Sequence, residues 1–338
     1  MRWSDIHVKA GAVALGRRED TATAVADGRY DPDYCAAHDY ESVCVAKDDE
    51  LALDLAVDAA RRALSRSGVD SAAIKLVVYV SSTPGGPDGI VPASYLQGKA
   101  VGAGTASALE VRQTCNGGLA ALELAAAYLS AAPAGWSALI ATSDKHQLPG
   151  AERYRSDPGN LDADGAAALV LSRGSGVARI LSTVVLGDGR FSDVALDGPQ
   201  NYANRQEFLA EQRRRLQPML ASASALQRES VATALAEAGV LSTEINRWVF
   251  ANVGRMMVDQ EFRKEFGIEE SRTTWDWGRT VGHTGTADQF AGLTHLLETG
   301  AVHVGDRVAL CGNGVGFSHG CAVVDIVDEP EWSADGQD

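Results

Sequence analysis

Apolar positions along this chain follow two alternating rhythms. From Glu50 to Ser67 alanine and leucine recur at helical spacing, and Gly68-Val-Asp70 closes the run. A continuous apolar block, Ile74–Ser81, then reads as a buried strand, and the Pro- and Gly-rich stretch Ser82–Ile90 reads as a loop. Leu139–Thr142 and Ala166–Ser172 are further short strands by the same pattern. Around Val111–Gly118 the order is a strand ending at Ala108–Arg112, a sharp turn, and a helix of small apolar residues from Leu119 to Leu129. Strands alternating with helices predict an α/β protein with mixed or parallel sheets.

The second half repeats the first in outline. A helix over Arg228–Gly239 leads to a strand, Trp248–Asn252, as Leu51–Gly68 leads to Leu76–Val80. Asp164–Leu171 similarly parallels Gly316–Asp325. An internal duplication is therefore expected, with halves 1–174 and 175–338 meeting near Arg173-Gly-Ser-Gly176. The acidic, Pro-containing tail after Val327 is expected to be loosely ordered.

Composition narrows the function classes. With 338 residues, 45% of them hydrophobic, the chain can bury a large core. It has no run of eighteen apolar residues, so no membrane-spanning helix is predicted. Met1–Val8 lacks an apolar leader core, so no secretory signal is expected. The five cysteines are odd in number and form no CxxC pair, which argues against disulfides and a zinc site and suits the reducing cytoplasm. A net charge of −15 argues against nucleic acid as a partner. The run containing Arg213, Arg214 and Arg215 is a local basic exception; it reads equally as a solvated helix face or a docking point for an acidic partner.

Cys115 carries the strongest chemical signal. A thiol between a strand and a helix N-terminus meets free backbone N–H groups and a helix dipole, which favour a thiolate and can hold an oxyanion. A small buried core residue explains the segment alone equally well.

Three pieces taken in order resemble one family: Cys115-Asn-Gly-Gly, Val281-Gly-His-Thr-Gly-Thr286 and Gly312-Asn-Gly-Val-Gly-Phe-Ser-His-Gly320. Over nearly the whole chain they resemble the β-ketoacyl-acyl-carrier-protein synthase III branch of the thiolase superfamily. The resemblance implies a thiolase-like fold, duplicated halves forming a five-layered αβαβα arrangement, and a homodimer. It makes Cys115 an acyl-carrying nucleophile. It also implies an oxyanion hole from the amide of Cys115 with that of Val315 or Gly316.

The departures from the family pattern are informative. The strand that ends in the family's catalytic histidine reads Ala251-Asn252-Val253-Gly254 here. The family's Gly-Asn-Thr-Ser reads Gly282-His283-Thr284-Gly285. Decarboxylative condensation, which uses that His and Asn together, is expected to be impaired or absent. Asp288, five positions after His283, is placed to orient its ring if a helix begins between them. Asn252 reads either as a donor to the acyl carbonyl or as a filler of vacated space.

The set Cys115, His283, Asp288 is similar to that of the family's non-condensing acyltransferases. Those enzymes move a preformed acyl group from a carrier protein to a hydroxyl or a second carrier thiol in polyketide and antibiotic biosynthesis. The expected substrate is a phosphopantetheine-linked acyl donor, on acyl carrier protein or CoA, with no bound cofactor and no metal. Arg255, Arg213 and Arg214 are candidate contacts for an acidic carrier. His319, His146, Trp275 and Trp277 read as structural or cavity-lining residues. The alternatives are a decarboxylative ketosynthase and a non-catalytic thiolase-fold complex partner.

Overall fold

The computed structural model describes residues 1–147, 152–157, 159–195 and 205–332. Among the described residues eleven strands occur in chain order: β1 (Arg2–Leu15), β2 (Arg17–Asp20), β3 (Ser42–Val45), β4 (Ile74–Val80), β5 (Ser107–Val111), β6 (Ser137–Asp144), β7 (Gly165–Arg173), β8 (Ala178–Gly187), β9 (Arg247–Val249), β10 (Arg307–Gly314) and β11 (Ser318–Ile326). Nine of them hydrogen-bond in the order β5-β4-β6-β7-β1-β8-β11-β10-β9, while β2 and β3 form a separate ribbon.

The two halves share one plan. In the first, β4 runs parallel to β6, β6 antiparallel to β7, and β7 antiparallel to β1. In the second, β9 runs parallel to β10, β10 antiparallel to β11, and β11 antiparallel to β8. The counterpart of β5 shrinks to a parallel bridge between Trp248 and Thr273. The halves join where β1 pairs with β8, and the connection from β7 to β8 spans residues 174–177.

Five layers follow from which faces are apolar. The helix Ala52–Ser67 covers one outer face, packing Leu53, Ala56 and Ala60 against Val77, Leu139 and Val170. The helices Gly117–Ala131 and Asp288–Glu298 lie between the two half-sheets. Leu119, Leu122, Phe290 and Leu293 share their core with Val78, Leu169, Leu310 and Val324. The helix Leu220–Ala238 covers the second outer face beside Trp248, Ala309 and Val323. Strands β6 and β7 are covered on both sides, which explains their uninterrupted apolar sequences.

Some boundaries differ from the sequence pattern. The second-half helix begins at Leu220, eight residues ahead of Arg228. The strand expected over Trp248–Asn252 stops at Val249, because the Asn252 N–H donates to a side chain, Asp288 Oδ2, at 2.7 Å. Part of the tail is anchored: Trp332 packs on the central core with the Arg66 guanidinium over its ring, and residues 333–338 lie outside the described residues. Among the described residues no helix is long and apolar enough to cross a membrane.

Candidate active site

Cys115 sits at the elbow its sequence suggested. The chain leaves β5, makes a tight 3₁₀ turn over Thr114–Asn116, and enters the helix at Gly117. Thr114 holds φ at 47°, a strained value for a β-branched residue. Its hydroxyl donates to the Val315 carbonyl at 3.1 Å, tying the elbow to the β10–β11 hairpin. Val315 and Gly316 therefore lie next to the Cys115 turn, and Val315 is 51% exposed. Cys115 itself is half-buried and unpaired with any other cysteine. Cys44, by contrast, is buried among apolar groups, and burial pushes its thiol up to about 12.

His283 arrives from the other half. Its backbone is pinned on both sides, its N–H to Leu161 O at 2.8 Å and its carbonyl to Ala163 N at 2.7 Å. A 3₁₀ turn over Gly285–Ala287 follows, and the helix starts at Asp288. The imidazole is 4% exposed. Its Nε2 lies 3.1 Å from Cys115 Sγ, and its Nδ1 lies 2.5 Å from Asp288 Oδ2.

Asp288 is fully buried and well satisfied. Oδ1 accepts from Thr284 N at 2.8 Å and from the Thr284 hydroxyl at 2.6 Å. Oδ2 accepts from Asn252 N as well as from His283. Fixed donors leave the carboxylate one orientation, and that orientation fixes the ring. Burial by itself lowers the pKa of His283. The negative charges of Asp288 and Cys115, with their hydrogen bonds, outweigh burial and hold the imidazole well above the usual histidine value. The arrangement favours the protonated imidazole.

The other sequence candidates divide. Asn252 reaches this cluster, but its carboxamide N–H₂ points at Asp288 Oδ1, 3.4 Å away, so it supports the carboxylate. Arg255 is engaged internally, donating to Asp39 at 3.0 Å and Glu270 at 2.8 Å. Its side chain is nonetheless 40% exposed. Arg213 and Arg214 lie exposed on the helix Arg205–Leu216, where Arg214 and Arg215 both bond Glu211. His319 is buried in β11, and burial pushes it down to about 4, so it stays neutral. His146 is held by Ala163 O and Asp164. Trp275 packs edge-on against Tyr40, and Trp277 stacks on His295. Among the described residues no group of three or more His, Cys, Asp or Glu is placed to hold a metal ion.

Sequence reasoning passed over Asp144. This buried carboxylate closes β6 and accepts from Ser82, Thr83 and Thr286. The available signal was a charge ending a strand that is otherwise apolar enough to be buried throughout.

A duplicated αβαβα fold with a cysteine elbow in one half and a His–carboxylate pair in the other is that of the thiolase-type enzymes. Residues 235–326 match the family described as 3-oxoacyl-[acyl-carrier-protein (ACP)] synthase III C terminal. A β-ketoacyl-[acyl-carrier-protein] synthase III from Rhodospirillum centenum is 30% identical over 290 residues, covering 83% of this chain and 85% of the relative. The Thermosynechococcus vestitus synthase III is 29% identical over 292 residues, covering 82% and 85%. Among solved structures, the acyltransferase ChlB3 is 34% identical with a TM-score of 0.90, covering 98% of this chain and all of that one. Xanthomonas campestris OleA shares the fold, with a TM-score of 0.76 at 19% identity over 96% and 99% of the two chains. The chain belongs to the β-ketoacyl-acyl-carrier-protein synthase III family and is an enzyme of that family.

Proposed function

We propose that this enzyme moves a preformed acyl group from acyl carrier protein, through an acyl-Cys115 intermediate, to a hydroxyl or carrier thiol in natural-product biosynthesis. The observation that carries the reading is the buried chain Cys115 Sγ–His283–Asp288, with separations of 3.1 and 2.5 Å.

In the first half-reaction the Cys115 thiolate attacks the donor thioester carbonyl. The carbon–sulfur bond to phosphopantetheine breaks, and the His283 Nε2 proton passes to the leaving thiolate. The amide of Cys115 with that of Val315 or Gly316 would hold the tetrahedral oxyanion, each donor worth about 3–4 kcal/mol of barrier. Acylation erases the charge on Cys115, one of the influences that keeps His283 protonated. Burial then weighs more heavily, and the ring is left as a base. It takes the acceptor's proton as the acceptor attacks the acyl carbonyl. The bond to Sγ breaks, and the thiolate–imidazolium pair is restored.

Decarboxylative condensation is the second reading, favoured by the names of the synthase III relatives. Against it stands the orientation of Asn252, whose carboxamide serves Asp288 and stands where the family carries a histidine. Release of carbon dioxide from a malonyl thioester would decide for the ketosynthase.

Two partners follow from this reading. Exposed Arg213 and Arg214, the latter paired with Glu211, offer cations to an acidic carrier. A homodimer is supported by β5, an edge strand with Leu109 54% exposed. The direct test is intact mass after incubation with acyl-carrier protein. An acyl adduct is expected on the wild type and absent from Cys115→Ala, and a wild type that forms none with any acyl donor defeats the mechanism.

A further inference from the structure

We propose that Asp144 is a positioning residue that sets the spacing between Cys115 and His283, a role that rests on the pair described above. It acts by clamping Thr286, which lies midway between His283 and Asp288, against the first turn of the helix that follows Cys115.

Each carboxylate oxygen of Asp144 serves a different part of the molecule. Oδ1 accepts from Ser82 N at 2.7 Å, Ser82 Oγ at 2.8 Å, Thr83 N at 2.7 Å and Thr83 Oγ1 at 2.9 Å, all in the loop after β4. Oδ2 accepts from Thr286 N at 2.8 Å and Thr286 Oγ1 at 2.9 Å. The group is fully buried, and among the described residues its partners are backbone N–H groups and hydroxyls, with no cation. Backbone N–H groups on both oxygens leave only acceptor roles for the side chain. An amide in its place would turn a donor toward one of those N–H groups.

Thr286 is in turn wedged against the nucleophile's helix. A methyl added at Gly118 would come within 2.9 Å of the Thr286 carbonyl oxygen, and one at Gly117 within 3.6 Å of Thr286 Cγ2. Gly285, at φ 64°, itself passes close to Asp144; a methyl there would fall 2.4 Å from Oδ2. The segment from His283 to Asp288 thus has two anchors. Asp288 holds its ends together, and Asp144 presses its middle onto the helix that follows Cys115. Without the second anchor the segment can lift from that helix, and Nε2 leaves Sγ.

The test is alkylation of Cys115 by iodoacetamide, mapped by peptide mass, from about pH 5 to about pH 10, where histidine and thiol titrate. His283→Ala marks the rate without the pair. Asp144→Asn is expected to fall about tenfold or more toward that rate at neutral pH and to match the wild type at about pH 10, where a thiol ionises unaided. Its kcat should drop on the order of 10²-fold with KM unchanged, the cost of roughly 1 Å of misplacement. A clamp that only stabilises the fold would leave the alkylation profile unmoved. A folded Asp144→Asn with the wild-type profile overturns the role. If that variant does not fold, Thr286→Val takes its place: it keeps the backbone bond, loses the hydroxyl bond, and should shift the profile the same way. An unshifted profile there is equally fatal. Should wild type and His283→Ala alkylate alike, the Cys115–His283 pair itself is refuted and the role goes with it. If those two differ while Asp144→Asn matches wild type, only the role is refuted.

Discussion

Asp288→Asn removes one charge and keeps the shape, so its effect can be worked out from the hydrogen bonds. Both oxygens of Asp288 accept from backbone N–H groups, Thr284 N on Oδ1 and Asn252 N on Oδ2. An asparagine must turn its N–H₂ toward one of them. If it faces Thr284, a buried N–H loses its acceptor, at a cost of about 1–3 kcal/mol. If it faces Asn252, it also faces His283 Nδ1, which must then accept. The ring proton moves to Nε2, the atom that faces Cys115, and the histidine can no longer take the thiol's proton. In either orientation the carboxylate charge that raises His283 is gone, and burial drives the ring toward its neutral form. A loss of about 10²–10⁴ in the acylation rate is expected, equal to roughly 3–5.5 kcal/mol of barrier. Single-turnover formation of the acyl-Cys115 adduct, followed by intact mass, measures it. An Asp288→Asn enzyme that is folded and acylates within threefold of wild type would refute the triad.

Three further outcomes are expected. His283→Ala should cost about 10²–10⁴ in turnover, whereas His319→Ala, in a neutral buried ring, should change turnover by less than about threefold; equal losses would refute the assignment of the base. Asn252→Ala removes only a 3.4 Å contact and leaves the backbone bond to Asp288, so turnover should fall less than about tenfold, while a loss of 10²–10³ would mark Asn252 as an oxyanion donor. Because the folded protein raises the pKa of His283, the stabilisation from its protonation is fully present below about pH 6.5 and is lost as pH climbs through the raised value. Urea melts of wild type and His283→Gln should therefore differ most at the acid end of that window and converge above it, and a gap that widens with rising pH would contradict the charge assignment.

The elbow at Cys115 was legible because strand, turn and helix are contiguous in sequence and each leaves a local mark. The pairing of His283 with Asp288 was legible for the same reason, since five residues and a helix start hold them together. What escaped depends on distant partners. The carboxamide of Asn252 finds Asp288 across 36 positions, and its backbone N–H leaves the strand ladder for the same carboxylate, which also shortens β9. Asp144 meets Ser82 across 62 positions and Thr286 across 142, so no local pattern marks it. The acceptors of Arg255, Asp39 and Glu270, likewise come from other segments.

The repeated plan of the two halves has a consequence for when the enzyme becomes reactive. Cys115 follows β5 in one repeat, and His283 follows the Thr273 bridge at the matching place in the other. Neither repeat contains a working pair, so a chain still emerging from synthesis carries Cys115 without its base. The two groups meet across the junction of the halves, where β1 pairs with β8 and both central helices are enclosed. Under the proposed mechanism the fold works as an interlock: the cysteine is armed by completion of the whole chain, and loosening of either half would disarm it.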